Sequence, residues 1–155
     1  NAIERKRKRY MELTPSKPAM MLVIDLDNFK HINDTFGHAY GDAVLRLMGE
    51  CIRSNFREDD YKGRFGGDEF VVFLPGIDDK QQVVTYVNNL VEMMKAHVRT
   101  PESANPVHGS IGIALYPKHA STYEELFKKA DEALYASKER GKDRYTFYIS
   151  KEVLK

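Results

Sequence analysis

The chain has 155 residues, 42% of them hydrophobic and 30% charged, which is the length and balance of one globular domain, residues 1–155, able to bury a core. Its net charge of +1 gives no broad electrostatic footprint for nucleic acid, and no apolar run approaches the roughly 18 residues of a membrane span. The lone cysteine, Cys51, can form no internal disulfide and reads as a small core residue in a reducing, cytoplasmic setting.

Residues Ala2 to Leu13 read as a helix with five consecutive cations, Arg5 to Arg9, on a solvated face. "TPSKP" breaks the chain, and "AMMLVI", Ala19 to Ile24, is a continuous apolar run of the kind found in a strand covered on both faces. Asp25-Leu26-Asp27 ends that run, and "DNFKHI" starts a helix at once. A longer amphipathic helix is expected from about Ala39 to Phe56, with Val44, Leu45, Leu47, Met48, Cys51 and Ile52 on its buried face. Tyr61 to Phe65 and Phe70 to Leu74 form a hairpin around "GGDE". Lys80 to His97 is a helix burying Val83, Val84, Val87, Leu90, Val91 and Met94, and "RTPESANP" is a loop. Val107 to Tyr116 is a strand in which Ile111, Ile113 and Leu115 alternate with small residues. Tyr123 to Lys138 is a helix stopped by Gly141, and Tyr145 to Ile149 is a last strand. This order predicts an α+β fold, helices covering a mostly antiparallel sheet.

Within it, the acids at two turns have no evident local use. Asp27 reads as a helix N-cap, but Asp25 follows six apolar residues and needs a partner: an arginine, a backbone amide or a metal ion. Asp68 and Glu69 pose the same question at the glycine turn. A hairpin lying beside the first strand would bring Asp25 and these acids to one edge, an all-oxygen set suited to Mg²⁺ or Mn²⁺. The first amides of the adjoining helix, near Asn28, Phe29 and Lys30, would then be free for anionic oxygens. Acids, helix amino terminus and glycine clearance together describe a nucleoside-triphosphate site.

"RFGGDEF", from Arg64 to Phe70, resembles the signature of the GGDEF domains, the bacterial diguanylate cyclases. "DLDNFKHINDTFGHAYGD" (Asp25 to Asp42) and "ADEALYASKERGKDRY" (Ala130 to Tyr145) resemble two further segments of that family, in the same order, so the likeness spans nearly the whole chain. The resemblance implies a nucleotidyl cyclase or polymerase palm-like fold with a ferredoxin-like core. It also implies a reaction: two GTP molecules on two antiparallel domains condense to cyclic di-GMP and two pyrophosphates, with two metal ions per half-site and a second GGDEF domain as obligatory partner. Carried over by position, Asp25, the Leu26 carbonyl and Asp68 would hold metal. Asp68 would also take the 3′-hydroxyl proton, with Glu69 as the second acid. Gly66 and Gly67 would leave room for the nucleotide, Asn33 and Asp42 would read guanine, and Lys138 and Lys142 would neutralise the terminal phosphates. From the residues alone, Asn33 and Asp42 read rather as helix caps. Arg57 and Asp60, an R-x-x-D pair, resemble the family's inhibitory product site, which Arg64 is expected to join; the implied ligand is cyclic di-GMP.

Two departures matter. Lys142 stands where arginine is common, and Asn1 is followed by alanine where arginine is usual. The rival expectation is a non-catalytic module that senses GTP or cyclic di-GMP and regulates an attached domain; a palm-like dimerisation scaffold is a third. The domain is expected to be a cytoplasmic piece of a larger signalling protein, touching neither nucleic acid nor membrane itself.

Overall fold

A computed structural model describes residues 2–13, 17–98 and 107–149. The "RTPESANP" loop, most of "TPSKP", Asn1 and the chain's last six residues lie outside the described residues. In chain order the elements are α1 (Ala2–Leu13), β1 (Ala19–Leu26), α2 (Phe29–Phe36), α3 (His38–Asn55), β2 (Tyr61–Arg64), β3 (Glu69–Pro75), α4 (Lys80–His97), β4 (Gly109–Tyr116), α5 (Tyr123–Glu139) and β5 (Tyr145–Phe147).

The sheet runs in the order β2-β3-β1-β4-β5. The pairs β1–β3, β1–β4 and β2–β3 are antiparallel, and β4–β5 is parallel. The first four strands make the ferredoxin-like core, and β5 extends its edge. β1 lies at the centre, so all eight of its residues are buried, which is why its sequence is continuously apolar until Asp25.

Alternation along β1 divides the core into two layers. Met20, Leu22 and Ile24 face α2, α3 and α4, packing with Val44, Met48, Val87 and Leu90. Ala19, Met21 and Val23 face α1 and α5, packing with Met11, Phe73, Leu126 and Leu134. The buried stripes of α3 and α4 are narrower than the spacing predicts: Leu47 and Val91 are only partly buried against the core, and Val84 is half-buried.

The small residues of β4 have a steric cause. A Cβ at Gly112 would lie 2.1 Å from the Ala130 carbonyl oxygen and 2.2 Å from the Leu134 nitrogen. Helix α5 therefore rests almost on the strand backbone. This close approach carries Lys138, in the last turn of α5, to the end of β1.

Helix termini differ in how they are closed. Thr122 Oγ1 accepts from the Glu125 N–H at 3.2 Å, and Asp79 Oδ1 accepts from the Gln81 N–H at 2.9 Å. α2 has no such side-chain cap: its N-cap is Asn28, in the left-handed region at φ 58°. The expectation of Asp27 as N-cap is thus corrected by one residue, and Asp27 is engaged elsewhere.

Candidate functional site

Strand register brings the two acidic turns together. Asp25 pairs with Glu69 across β1 and β3, and the Leu26 N–H donates to the Asp68 carbonyl at 3.4 Å. The turn itself is closed by Phe65 N–H to Glu69 C=O (2.8 Å) and Glu69 N–H to Gly66 C=O (3.1 Å). Gly66 and Gly67 have φ values of 97° and 50°, and a Cβ on either would meet nothing within 4 Å. The backbone turn alone therefore favours glycine at both positions, and the space around them is open.

Asp25, Leu26, Asn28, Phe29, Lys30, Asp68, Lys138 and Lys142 all line one cleft of about 590 Å³ at this end of the sheet. Asp25 is 7% exposed. Its Oδ2 is paired with the Lys138 ammonium, and its Oδ1 is buried with no hydrogen-bond partner among the described residues. Burial, then contact with Asp68, push the Asp25 carboxyl up to about 6 in spite of Lys138. Glu69 is pushed up to about 7, by burial first and then by the charges of Asp131 and Asp25. One ammonium thus serves a group of carboxylates that repel one another.

Lys142 Nζ donates to Asn28 Oδ1 at 2.9 Å, which stands its ammonium over the same cleft. Asn33 and Asp42 are not caps: α2 ends on the backbone bond from Gly37 N–H to the Asn33 carbonyl, and α3 has no side-chain N-cap. The Asn33 side chain packs on Gly41, where a Cβ would fall 1.8 Å from Asn33 Oδ1. Asp42, next in sequence, is exposed and lines a neighbouring cavity of about 460 Å³ between α3 and β2. Arg64 lines this second cavity too, with Leu45, Ile52 and Phe70 as apolar wall.

Arg57 and Asp60 lie elsewhere. The Arg57 guanidinium donates to Asp60 Oδ1 (2.6 and 3.0 Å) and to the Pro75 carbonyl (2.9 Å), while its main-chain N–H donates to Asp60 Oδ2 (2.7 Å). This turn precedes β2. Arg64 ends β2, about 10 Å further along the strand, and donates to the Gly67 carbonyl at 2.8 Å. The structure does not bring Arg64 to the Arg57–Asp60 pair.

Asp131 also acts on these carboxylates, and Ser110, Asp143 and His108 surround Asp27; none of the four stands out in the sequence as a site residue. Asp131 lies two helical turns before Lys138 and so shares its face of α5; that seven-residue spacing was the available signal.

Do these residues fit a divalent cation? Among the described residues no group of three or more histidine, cysteine or acidic side chains is gathered to enclose one. The cleft instead offers two adjacent carboxylates, Asp25 and Asp68, and an unpartnered buried oxygen on the first. Such a partial, all-oxygen set fits Mg²⁺ or Mn²⁺, which complete their shells with water and substrate phosphates.

A ferredoxin-like sheet with acids at the end of its central strand defines the palm-like class of nucleotidyl cyclase domains. The family profile described as "Diguanylate cyclase, GGDEF domain" matches residues 2–144, and the chain belongs to that family. It is 40% identical over 129 residues to the diguanylate cyclase DosC of Escherichia coli, covering 82% of this chain and 28% of DosC. The chain thus corresponds to less than a third of that protein. The crystal structure of the GGDEF domain of TpbB (YfiN) from Pseudomonas aeruginosa superposes with a TM-score of 0.88 at 34% identity, covering 96% of this chain and 94% of the other. The GGDEF domain of DgcB from Caulobacter crescentus, solved in complex with c-di-GMP, superposes with a TM-score of 0.85 at 28% identity, covering 96% and 90%.

Proposed function

We propose that this domain is an active diguanylate cyclase, condensing two GTP into cyclic di-GMP across an antiparallel pair of domains. The observation that carries the proposal is the buried Asp25 oxygen, unpartnered among the described residues, beside Asp68 in a cleft lined by Lys30, Lys138 and Lys142. A folded chain does not ordinarily leave a carboxylate so placed without a ligand to answer it.

In this reading Asp25, Asp68 and the Leu26 carbonyl hold Mg²⁺ or Mn²⁺, two per half-site, supplying charge neutralisation and Lewis-acid polarisation at the phosphate. Asp68 takes the 3′-hydroxyl proton as that oxygen attacks the α-phosphate of the opposite nucleotide, whose bond to the β-phosphate oxygen breaks to release pyrophosphate; Glu69 supports it. Asn33 and Asp42 recognise guanine, the Asp42 carboxylate accepting from N1–H and N2–H₂, donors that adenine lacks. The open space at Gly66 and Gly67 admits ribose and α-phosphate. Lys138 exchanges Asp25 for the terminal phosphates when the cleft fills, and Lys142 joins it there. The amides at Asn28, Phe29 and Lys30 receive phosphate oxygens.

The alternative, a non-catalytic sensor of GTP or cyclic di-GMP, uses the same cleft without turnover. Concentrated protein, or protein fused to a dimerising tag, is incubated with GTP and Mg²⁺ or Mn²⁺ and assayed for cyclic di-GMP, with Asp68→Ala as control. Product from the wild type alone is the expected result. GTP binding without product, even when dimerised, would favour the sensor. Feedback binding is tested separately, by titrating cyclic di-GMP into Arg57→Ala; unchanged affinity removes Arg57 from any product site.

A further inference from the structure

Asp27 lies two residues beyond Asp25, just past the end of β1, where another carboxylate oxygen would be useful to a cation. Both of its oxygens are already engaged within the chain. Oδ1 accepts from the Ser110 hydroxyl at 2.6 Å, and Oδ2 accepts from the main-chain N–H of Asp143 at 2.9 Å. Asp27 is 8% exposed and Ser110 fully buried. The Asp27 N–H in turn donates to the His108 carbonyl at 2.9 Å, and His108 Nδ1 lies 3.2 Å from Asp143 Oδ1. Main chain and side chains thus close a ring around the loop that follows α5.

That loop has an unusual backbone. Gly141, Lys142 and Asp143 have φ values of 117°, 64° and 48°. Two of the three carry a Cβ, which disfavours the left-handed region. Such a run persists only where its surroundings hold it: the Lys142 N–H donates to the Ser137 carbonyl at 3.0 Å, and the next residue, Asp143, is held by the Asp27 carboxylate. Its consequence is the position of Lys142, whose Nζ reaches Asn28 Oδ1 across the cleft. Capping does not account for Asp27, since α2 begins after Asn28. The Ser110 bond alone would satisfy only one of its oxygens.

We propose that Asp27 is a positioning residue: its carboxylate fixes the left-handed 142–143 turn and thereby holds the Lys142 ammonium where the terminal phosphates of GTP bind. The inference rests on the reading of the cleft as a GTP site. It assigns the two acids of "DLD" opposite tasks, Asp25 turned to the ligand and Asp27 to the loop.

The test is calorimetric. Affinities for Mg²⁺–3′-deoxy-GTP, which has no hydroxyl to attack, and for GMP are measured on wild type, Lys142→Ala, Asp27→Asn and the double variant. Lys142→Ala should weaken the triphosphate about tenfold and leave GMP unchanged. Asp27→Asn keeps one acceptor oxygen and loses the other, so it should weaken the triphosphate about threefold to tenfold, again sparing GMP. The double variant should be no weaker than Lys142→Ala. Equal losses for triphosphate and monophosphate, or losses that multiply in the double variant, overturn the positioning role. If Lys142→Ala itself leaves triphosphate affinity unchanged, the failure lies in the placing of Lys142 at the phosphates. Hydrogen exchange at the Asp143 amide of the wild type avoids dependence on any variant's folding. Slow exchange is expected at this otherwise exposed residue, and exchange at free-loop rate contradicts the clamp.

Discussion

The two charged turns at opposite ends of the β2–β3 hairpin solve the same problem in opposite ways. At one turn the Arg57–Asp60 pair is satisfied within the chain: the Asp60 side chain has no exposure, and three Arg57 donors bond to it. At Asp25, Asp68 and Glu69 the charges outnumber their partners among the described residues, one oxygen has none there, and two carboxyls are pushed up to about 6 and about 7. The first turn is complete without a ligand. The second is electrostatically costly until something positive arrives, and that asymmetry marks it as a site.

Removing charge at each turn should therefore have opposite consequences. The largest effect is expected on turnover: Asp68→Ala should lower cyclic di-GMP formation by about 10³-fold or more, since a base and a metal ligand are lost together, while the fold stays intact by circular dichroism. At the other turn Arg57→Ala leaves a buried carboxylate held only by a main-chain N–H. It should cost about 2 kcal/mol by urea denaturation, less than a fully buried pair because the Arg57 side chain is 39% exposed. Asp25→Asn, by contrast, should raise the melting temperature in EDTA, because it relieves repulsion with Asp68 and Glu69.

A smaller effect follows from pH. Both raised carboxyls ionise less readily folded than unfolded, so their favourable contribution is full below about pH 4 and is lost as pH rises through about 6 and about 7. In EDTA the melting temperature should fall between about pH 5 and pH 8, and Mn²⁺ should recover it at the upper end, where the carboxylates are free of protons. A curve that rises over this interval would show that another group governs it.

The helices and strands were legible because two periodicities, 3.6 and 2, mark their buried faces. The pairing of Asp25 with Glu69 was legible too, once the hairpin was set beside the first strand. What failed was local reasoning about side chains with distant partners. Asp27 looks like an N-cap because a helix follows it, yet the groups it binds lie on Ser110 and Asp143, far along the chain. Arg64 looks like a companion of Arg57 because few residues separate them, but an extended strand turns those residues into distance. Lys138 reaches Asp25 because Gly112 lets α5 lie against β4, a contact that no spacing in the sequence announces.

The claim that the uncompensated acids stand ready for a divalent cation is tested most directly by Mn²⁺ titration in the presence of 3′-deoxy-GTP, followed by electron paramagnetic resonance, on wild type and Asp25→Asn. Two bound ions per wild-type chain and a clear loss of Mn²⁺ binding in the variant are expected. Equal binding by the two proteins would contradict it.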